Sequence, residues 1–124
     1  MSTLKEIEKL EEARAGVLKK ILSIKLMVPG SYNEVYCRCG KKNCWCHTGK
    51  GHPFRRITFS ENGKPKTKSI CKENVVWIKK VTHNYRQFRE GQRKIREYDK
   101  LLVKLLDRYL KEIIVKTRKK KEYN

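Results

Sequence analysis

Cys37-Arg38-Cys39-Gly40-Lys41-Lys42-Asn43-Cys44-Trp45-Cys46-His47-Thr48-Gly49-Lys50-Gly51-His52 is the stretch on which the fold turns. Four cysteines and two histidines crowd into sixteen residues. Structural zinc takes four sulfur or nitrogen ligands in a tetrahedron, with the thiols ionised. Gly40, Gly49 and Gly51 let the chain turn tightly about one point, and Arg38, Lys41, Lys42 and Lys50 offset thiolate charge. Two ligand sets fit the spacing. Cys39, Cys44, Cys46 and His52 form C-x4-C-x-C-x5-H, and Cys37 in place of His52 forms C-x-C-x4-C-x-C. Either set is closed and thiolate-rich, which indicates a structural Zn2+ and not a catalytic one. Glu34 and Glu61 are the only acids between residues 29 and 70, and neither stands in an H-x-E or HExxH arrangement. No nucleophile–base–acid set accompanies the cluster, so neither enzymatic activity nor a small-molecule substrate is expected. Cys71 stands alone and reads as a small buried residue.

Just beyond the cluster, Asn62-Gly63 separates two short runs. Both central positions of a type I′ turn need positive φ, which makes Asn-Gly a strong hairpin signal. Strands are predicted at 54–60 and 65–70, with Phe59 opposite Lys66 and Ile57 opposite Lys68. Pro65 lacks an N–H to donate, so the second strand belongs at an edge.

Helices flank this centre. Residues 3–27 carry apolar side chains at helical spacing: Leu4, Ile7, Leu10, Ala13, Val17, Ile21 and Ile24. Thr3 and Glu6 form an S/T-x-x-E capping box, Gly16 is a weak point, and Pro29-Gly30 ends the helix. Residues 72–118 read as a long helix, or as two if Gly91 breaks it. Its stripe is Trp77, Val81, Tyr85, Phe88, Ile95, Tyr98, Leu102, Leu105, Leu106, Tyr109 and Ile113, with a seven-residue step through 81, 88, 95, 102 and 109. Unbroken, it spans about 70 Å at ~1.5 Å per residue, more than the first helix covers. Leu10, Val17 and Ile21 are expected to pack on Phe88, Ile95 and Leu102. A homodimer through the long helix and a purely intramolecular core both satisfy the stripe. From Lys116 the chain becomes a Lys-rich tail, read as disordered. The fold class is therefore α+β and mostly helical, with helices forming a hairpin or coiled coil around a zinc knuckle and β-hairpin. Residues 1–124 are expected to form one domain: 3–27 helix, 31–71 knuckle and hairpin, 72–118 helix, 119–124 basic tail.

The 124 residues hold 32 Lys and Arg against 13 Asp and Glu, a net charge of +19. Self-repulsion of that size is relieved by a polyanion, with nucleic acid, DNA or RNA, ahead of an anionic membrane. No run of about 18 apolar residues exists to span a bilayer. Met1-Ser2-Thr3-Leu4-Lys5-Glu6 lacks secretory character, so a cytoplasmic location is expected, nucleoid-associated if the ligand is DNA. Thiols are reduced there, which again favours metal over disulfides. Nine basic residues against two acids lie between 29 and 70, whereas the first 28 residues hold six against four. The predicted nucleic-acid contacts are therefore Arg38, Lys41, Lys42, Trp45, Lys50, Arg55, Arg56, Lys64, Lys66, Lys68, Arg86, Arg89 and Arg93. Trp45 either stacks on bases or packs on the helices. Arg86, Arg89, Arg93 and Arg96 form one helical ridge, which either tracks phosphates or is balanced by Glu90 and Glu97.

The run Cys39-Gly40-Lys41-x-x-Cys44-x-Cys46-x-x-Gly49-x-x-His52, followed by Pro53-Phe54, resembles a family of small, uncharacterised prokaryotic proteins with a CGKxxCxCxxGxxHGPY core. Their hairpin and following helix resemble Phe59–Lys64 and Asn84-Tyr85-Arg86-Gln87-Phe88-Arg89, so the likeness covers about residues 31 to 90. It implies the ligand set that includes His52 and excludes Cys37. It also implies a setting near mobile elements and transposases, and hence DNA ahead of RNA. This chain departs at His52-Pro53, where the family has an intervening Gly.

Overall fold

The structure, a computed structural model, describes residues 2–49 and 51–120, without the side chain of Cys46. The element order is α1 (Thr3–Leu22), β1 (Ser31–Cys37), a 3-10 turn (Trp45–His47), β2 (His52–Glu61), β3 (Lys64–Ser69), a 3-10 turn (Lys72–Asn74) and α2 (Val75–Lys120). The class is α+β and mostly helical. The chain divides into two compact units: a helical unit, Met1–Ile24 with Phe88–Asn124, and a sheet unit, Lys25–Gln87.

The sheet unit is built on an antiparallel sheet of order β1-β2-β3. Asn62 (φ 54°) and Gly63 (φ 78°) both adopt positive φ, as a type I′ turn demands. Ile57 pairs with Lys68 and Phe59 with Lys66, the register the turn position predicts, and Pro65 lies on the edge strand. Sequence reasoning misses β1, which pairs with β2 from Ser31↔Thr58 to Cys37↔His52. One sheet face carries Tyr32, Ile57 and Phe59. It packs on Ile78 and Val81 of α2, with Val28 and Ile70 closing the cluster. Thr82 is buried beside them and donates its hydroxyl to the Ile78 carbonyl at 2.8 Å. Val28 N–H donates to Val81 O at 3.1 Å, and Asn84 Nδ2 donates to Leu26 O at 3.0 Å. These bonds pin residues 25–30 as an extended strap along α2.

Those bonds explain why α1 ends at Leu22 and not at 27. The Ser23 hydroxyl donates to Lys20 O at 2.5 Å and its N–H donates to Lys19 O and Lys20 O, terminating the helix before Pro29. The N-terminal cap also differs from expectation. Ser2, not Thr3, is the N-cap and accepts from Lys5 N–H at 3.3 Å. Thr3 is buried and donates to Glu112 Oε1 at 2.6 Å, while Glu6 pairs with Arg108. Both members of the predicted capping box are thus taken up by tertiary contacts. Cys71 is exposed, contrary to the sequence reading. It lies in a turn where its carbonyl accepts from Asn74 N–H at 2.9 Å.

In the helical unit α1 runs antiparallel to α2. Thr3 meets Arg108 and Glu112, Arg14 pairs with Asp99 at 2.7 Å, and Ile21 lies against Gly91. Leu10 shares a cleft with Leu101 and Leu105. Phe88, Ile95, Tyr98, Leu102, Leu105 and Tyr109 of the predicted stripe are half-buried, whereas Trp77, Leu106 and Ile113 are exposed. Ile78, in place of Trp77, turns inward with Val81, because 78, 81 and 82 share a face under a 100° step. The helix continues through Lys120, so residues 116–120 are helical and not a disordered tail; the remainder of that tail, 121–124, lies outside the described residues.

Gly91 does not break α2. A Cβ there would fall well inside contact distance of Ile21 Cγ2, so its small size serves helix approach. Gly91→Ala gains ~1 kcal/mol of helix propensity but overpacks the site at a cost of ~1–3 kcal/mol. Net destabilisation is expected in urea melts, with partial recovery in Gly91→Ala/Ile21→Ala. A net gain in stability would show that the helices do not meet there.

Candidate metal centre

The sheet register builds the site. Cys37 at the end of β1 pairs with His52 at the start of β2, so residues 38–51 leave and re-enter the sheet at one point. Gly51 makes that closure, at φ 96°, with its Cα so near β1 that a Cβ would lie 2.7 Å from Cys37 O. Only glycine combines that φ with that approach. Within the loop, Cys44 N–H donates to Lys41 O at 3.2 Å, His47 N–H to Cys44 O at 3.2 Å, and Thr48 N–H to Trp45 O at 3.0 Å. These consecutive turns fold Cys44 back over the sheet end.

Cys39 Sγ, Cys44 Sγ and a ring nitrogen of His52 all lie within 4.8 Å of one another, half-buried. Cys44 Sγ and His52 Nε2 are 3.1 Å apart. Zinc with ~2.3 Å bonds to sulfur and ~2.0 Å to nitrogen sets neighbouring ligand atoms roughly 3.6–3.8 Å apart. The three donors have the chemistry for a metal ion and lie close enough together to hold one after a slight opening of the Cys44–His52 contact. Cys37 is exposed and is not part of this group. The Cys46 side chain lies outside the described residues. Trp45 packs the edge of its ring system on His52, with centroids 4.9 Å apart at 69°. It stays 61% exposed, so a packed edge and an exposed ring coexist.

The sheet face turned away from the core continues from His52. Alternation puts Phe54, Arg56 and Thr58 of β2 there, beside Val35 and Asn33 of β1. Phe54 is exposed, and Arg56 Nε donates to Asn33 Oδ1 at 2.9 Å. Arg55 and Arg56 therefore project to opposite faces. Lys64, Lys66 and Lys68 project together on the side of Arg55, and Arg38, Lys41 and Lys42 are exposed on the loop. Lys50 lies outside the described residues. On α2, Arg86 is exposed and Arg89 donates to Gln92 Oε1 at 3.1 Å. Arg93 is held by Glu90 and by Glu97. Its hydrogen bond keeps the Glu90 carboxyl below the usual carboxylate range and raises the affinity of Arg93 for its proton. The ridge is thus balanced at Arg93 by the two acids that sequence reasoning names. Phe54 and Asn33 are missed by that reasoning, because the run Tyr32-Asn33-Glu34-Val35-Tyr36 lacks the alternation that would mark it as the strand pairing with β2.

No helix among the described residues is long and apolar enough to cross a membrane. Residues 7–80, well over half of the chain, match the family described as Domain of unknown function (DUF6788). No curated protein and no solved structure matches the chain.

Proposed function

The chain belongs to the DUF6788 family, and we propose that it is a non-catalytic nucleic-acid-binding protein whose binding unit is stabilised by structural zinc. The observation that carries this reading is the division of charge. The sheet unit holds fourteen Lys and Arg against three Glu, a net of +11. Among its described residues one ion pair is present, Lys66 with Glu61 at 3.6 Å. The helical unit is less one-sided, with eighteen Lys and Arg against ten acids, a net of +8. Among its described residues Arg14 is paired with Asp99, Arg108 with Glu6, and Arg93 with Glu90 and Glu97. Uncompensated charge of one sign is the electrostatic footprint of a polyanion site. The exposed rings of Trp45 and Phe54 lie within it and offer flat surfaces to bases.

Zinc is favoured because the donors are two thiols and an imidazole, to which Cys46 would add a third thiolate and close the shell. When bound, the ion locks the loop and supplies no reaction. DNA stands ahead of RNA through the resemblance to proteins of mobile-element neighbourhoods, in which this chain would act as an accessory or regulatory factor.

Fluorescence anisotropy with a mixed-sequence duplex, one of its strands and an RNA of equal length tests this. Log affinity is expected to fall linearly with log salt, with a slope between about −3 and −7 on the duplex, or roughly three to eight phosphate contacts. Absence of binding at low salt to all three would overturn the proposal.

A further inference from the structure

The helical unit has very little core. Among its described residues Ile21 is the one large apolar side chain that is fully buried. Two helices packed along one stripe leave their other faces in water, and stable helical layers are made by covering them. On α2 the uncovered side chains have a pattern of their own. Val103, Leu106, Leu110 and Ile113, with Ile114 beside them, are 39–59% exposed. They follow a 3-4-3 step, the spacing of a coiled-coil seam. Arg108 and Glu112, which meet α1, lie on a different face of α2 from this stripe, and Asp99, one turn before Val103 on the same face, is where Arg14 of α1 bounds it.

We propose that two copies of this chain pair antiparallel through this second stripe of α2. A 3-4-3 step reads the same in both directions. A two-fold axis between Leu106 and Leu110 sets Val103 against Ile113 and Leu106 against Leu110 of the other copy. That self-complementarity is what an isologous interface requires, and an unrelated partner has no need of it. The area also suffices. At roughly 90 Å² exposed each, the five side chains present on the order of 450 Å² of apolar surface. Standard interfaces are ~57% apolar and cover ~800 Å² per partner, so this stripe with an ordinary polar rim supplies one interface. Pairing would give the assembly two sheet units and a bivalent grip on a long polyanion; the pairing itself does not depend on nucleic acid.

Sedimentation equilibrium of the metal-loaded full chain, without nucleic acid and at about 0.3 M salt to screen its charge, decides the matter. The expected mass is twice the 14.8 kDa of one chain. Leu106→Glu/Leu110→Glu is expected to return the single-chain mass with helicity and metal content unchanged. Glu lowers the net charge, so such dissociation cannot come from added self-repulsion. Leu106→Lys alone is expected to dissociate the pair, and Leu106→Lys/Leu110→Glu to restore it, because an antiparallel axis faces 106 with 110 while a parallel one faces 106 with itself. A wild-type single-chain mass up to about 100 μM overturns the proposal and leaves the stripe to a different protein. A doubled mass in the Glu/Glu variant overturns the choice of face, and failure of the Lys/Glu rescue overturns the antiparallel axis.

Discussion

Replacing Cys39 or Cys44 by Ser, or His52 by Ala, is expected to abolish stoichiometric metal binding and to unfold the loop from Arg38 to Gly51. The magnitude follows from two independent quantities. Fixing the backbone of one residue costs about 1 kcal/mol or more, so ordering residues 38–51 costs on the order of 14 kcal/mol. None of the residues of the sheet-unit core, Ile57, Ile78 and Val81 with their partners, comes from that loop, so burial offsets little of this. Structural zinc contributes about 10–16 kcal/mol at neutral pH, which is of the size required. Metal analysis should give one zinc per chain in the wild type and none in these variants. A thiol reagent should then react rapidly at Cys39 or Cys44, whichever remains. The helical signal should largely persist, since α1 and α2 supply no donor to the cluster. Cys46→Ser is expected to join the deficient group, because a fourth donor is needed. Cys37→Ser is expected to keep full metal content, since the Cys37 thiol is not in the donor group. Loss of zinc in Cys37→Ser with retention in His52→Ala would instead establish the four-cysteine set.

The legible parts of this fold are those where local chemistry leaves one solution. Asn62-Gly63 specifies its turn, the turn specifies the register, and the register places Phe59 and Ile57 opposite Lys66 and Lys68. The spacing of Cys39, Cys44 and His52 likewise requires a loop returning on itself, and the three donors do converge. What sequence pattern hides is tertiary competition. Thr3 and Glu6 carry the capping signature, yet Arg108 and Glu112, more than a hundred positions away, take both side chains. β1 is obscured because Asn33 and Glu34 are poor strand formers; its pairing rests on Tyr32 meeting Ile57 and Val35 meeting Phe54. Trp77 looks like core by size, but its position on the helix turns it outward and gives the core place to Ile78. The fourth ligand could not be chosen from spacing, since Cys37 and His52 are neighbours in the sheet and equally near the loop.

That same register determines which cations can reach one ligand together. Arg56 lies on the open sheet face with Phe54, and Arg38 lines a cleft with Phe54 and His52, whereas Lys64, Lys66 and Lys68 project on the other side of the hairpin. Lys41 and Lys42 are exposed on the same loop as Arg38. Changing Arg38, Lys41 and Lys42 together to Gln is expected to flatten the duplex salt slope by about 2–3, at ~0.9 per phosphate contact. The Lys64, Lys66 and Lys68 set should cost a similar amount only if the duplex wraps the hairpin edge; otherwise its effect stays near that of the controls. Lys5, Lys9 and Lys19 changed to Gln on α1 form the control, since Glu8, Glu11 and Glu12 are interspersed with them on that helix. Equal flattening by the loop set and the control set would mean a diffuse field and no defined surface. Trp45→Ala separates stacking from charge. A stacked base contributes about 1–3 kcal/mol, roughly 5- to 150-fold in affinity, and a paired duplex offers few free base faces. Single-strand binding is therefore expected to fall by that factor while duplex binding changes little and the salt slope not at all. The Trp45 ring also touches His52, so metal content must first be shown equal to wild type. With zinc retained, an equal loss on duplex and single strand would show that the indole supports the loop and does not touch bases.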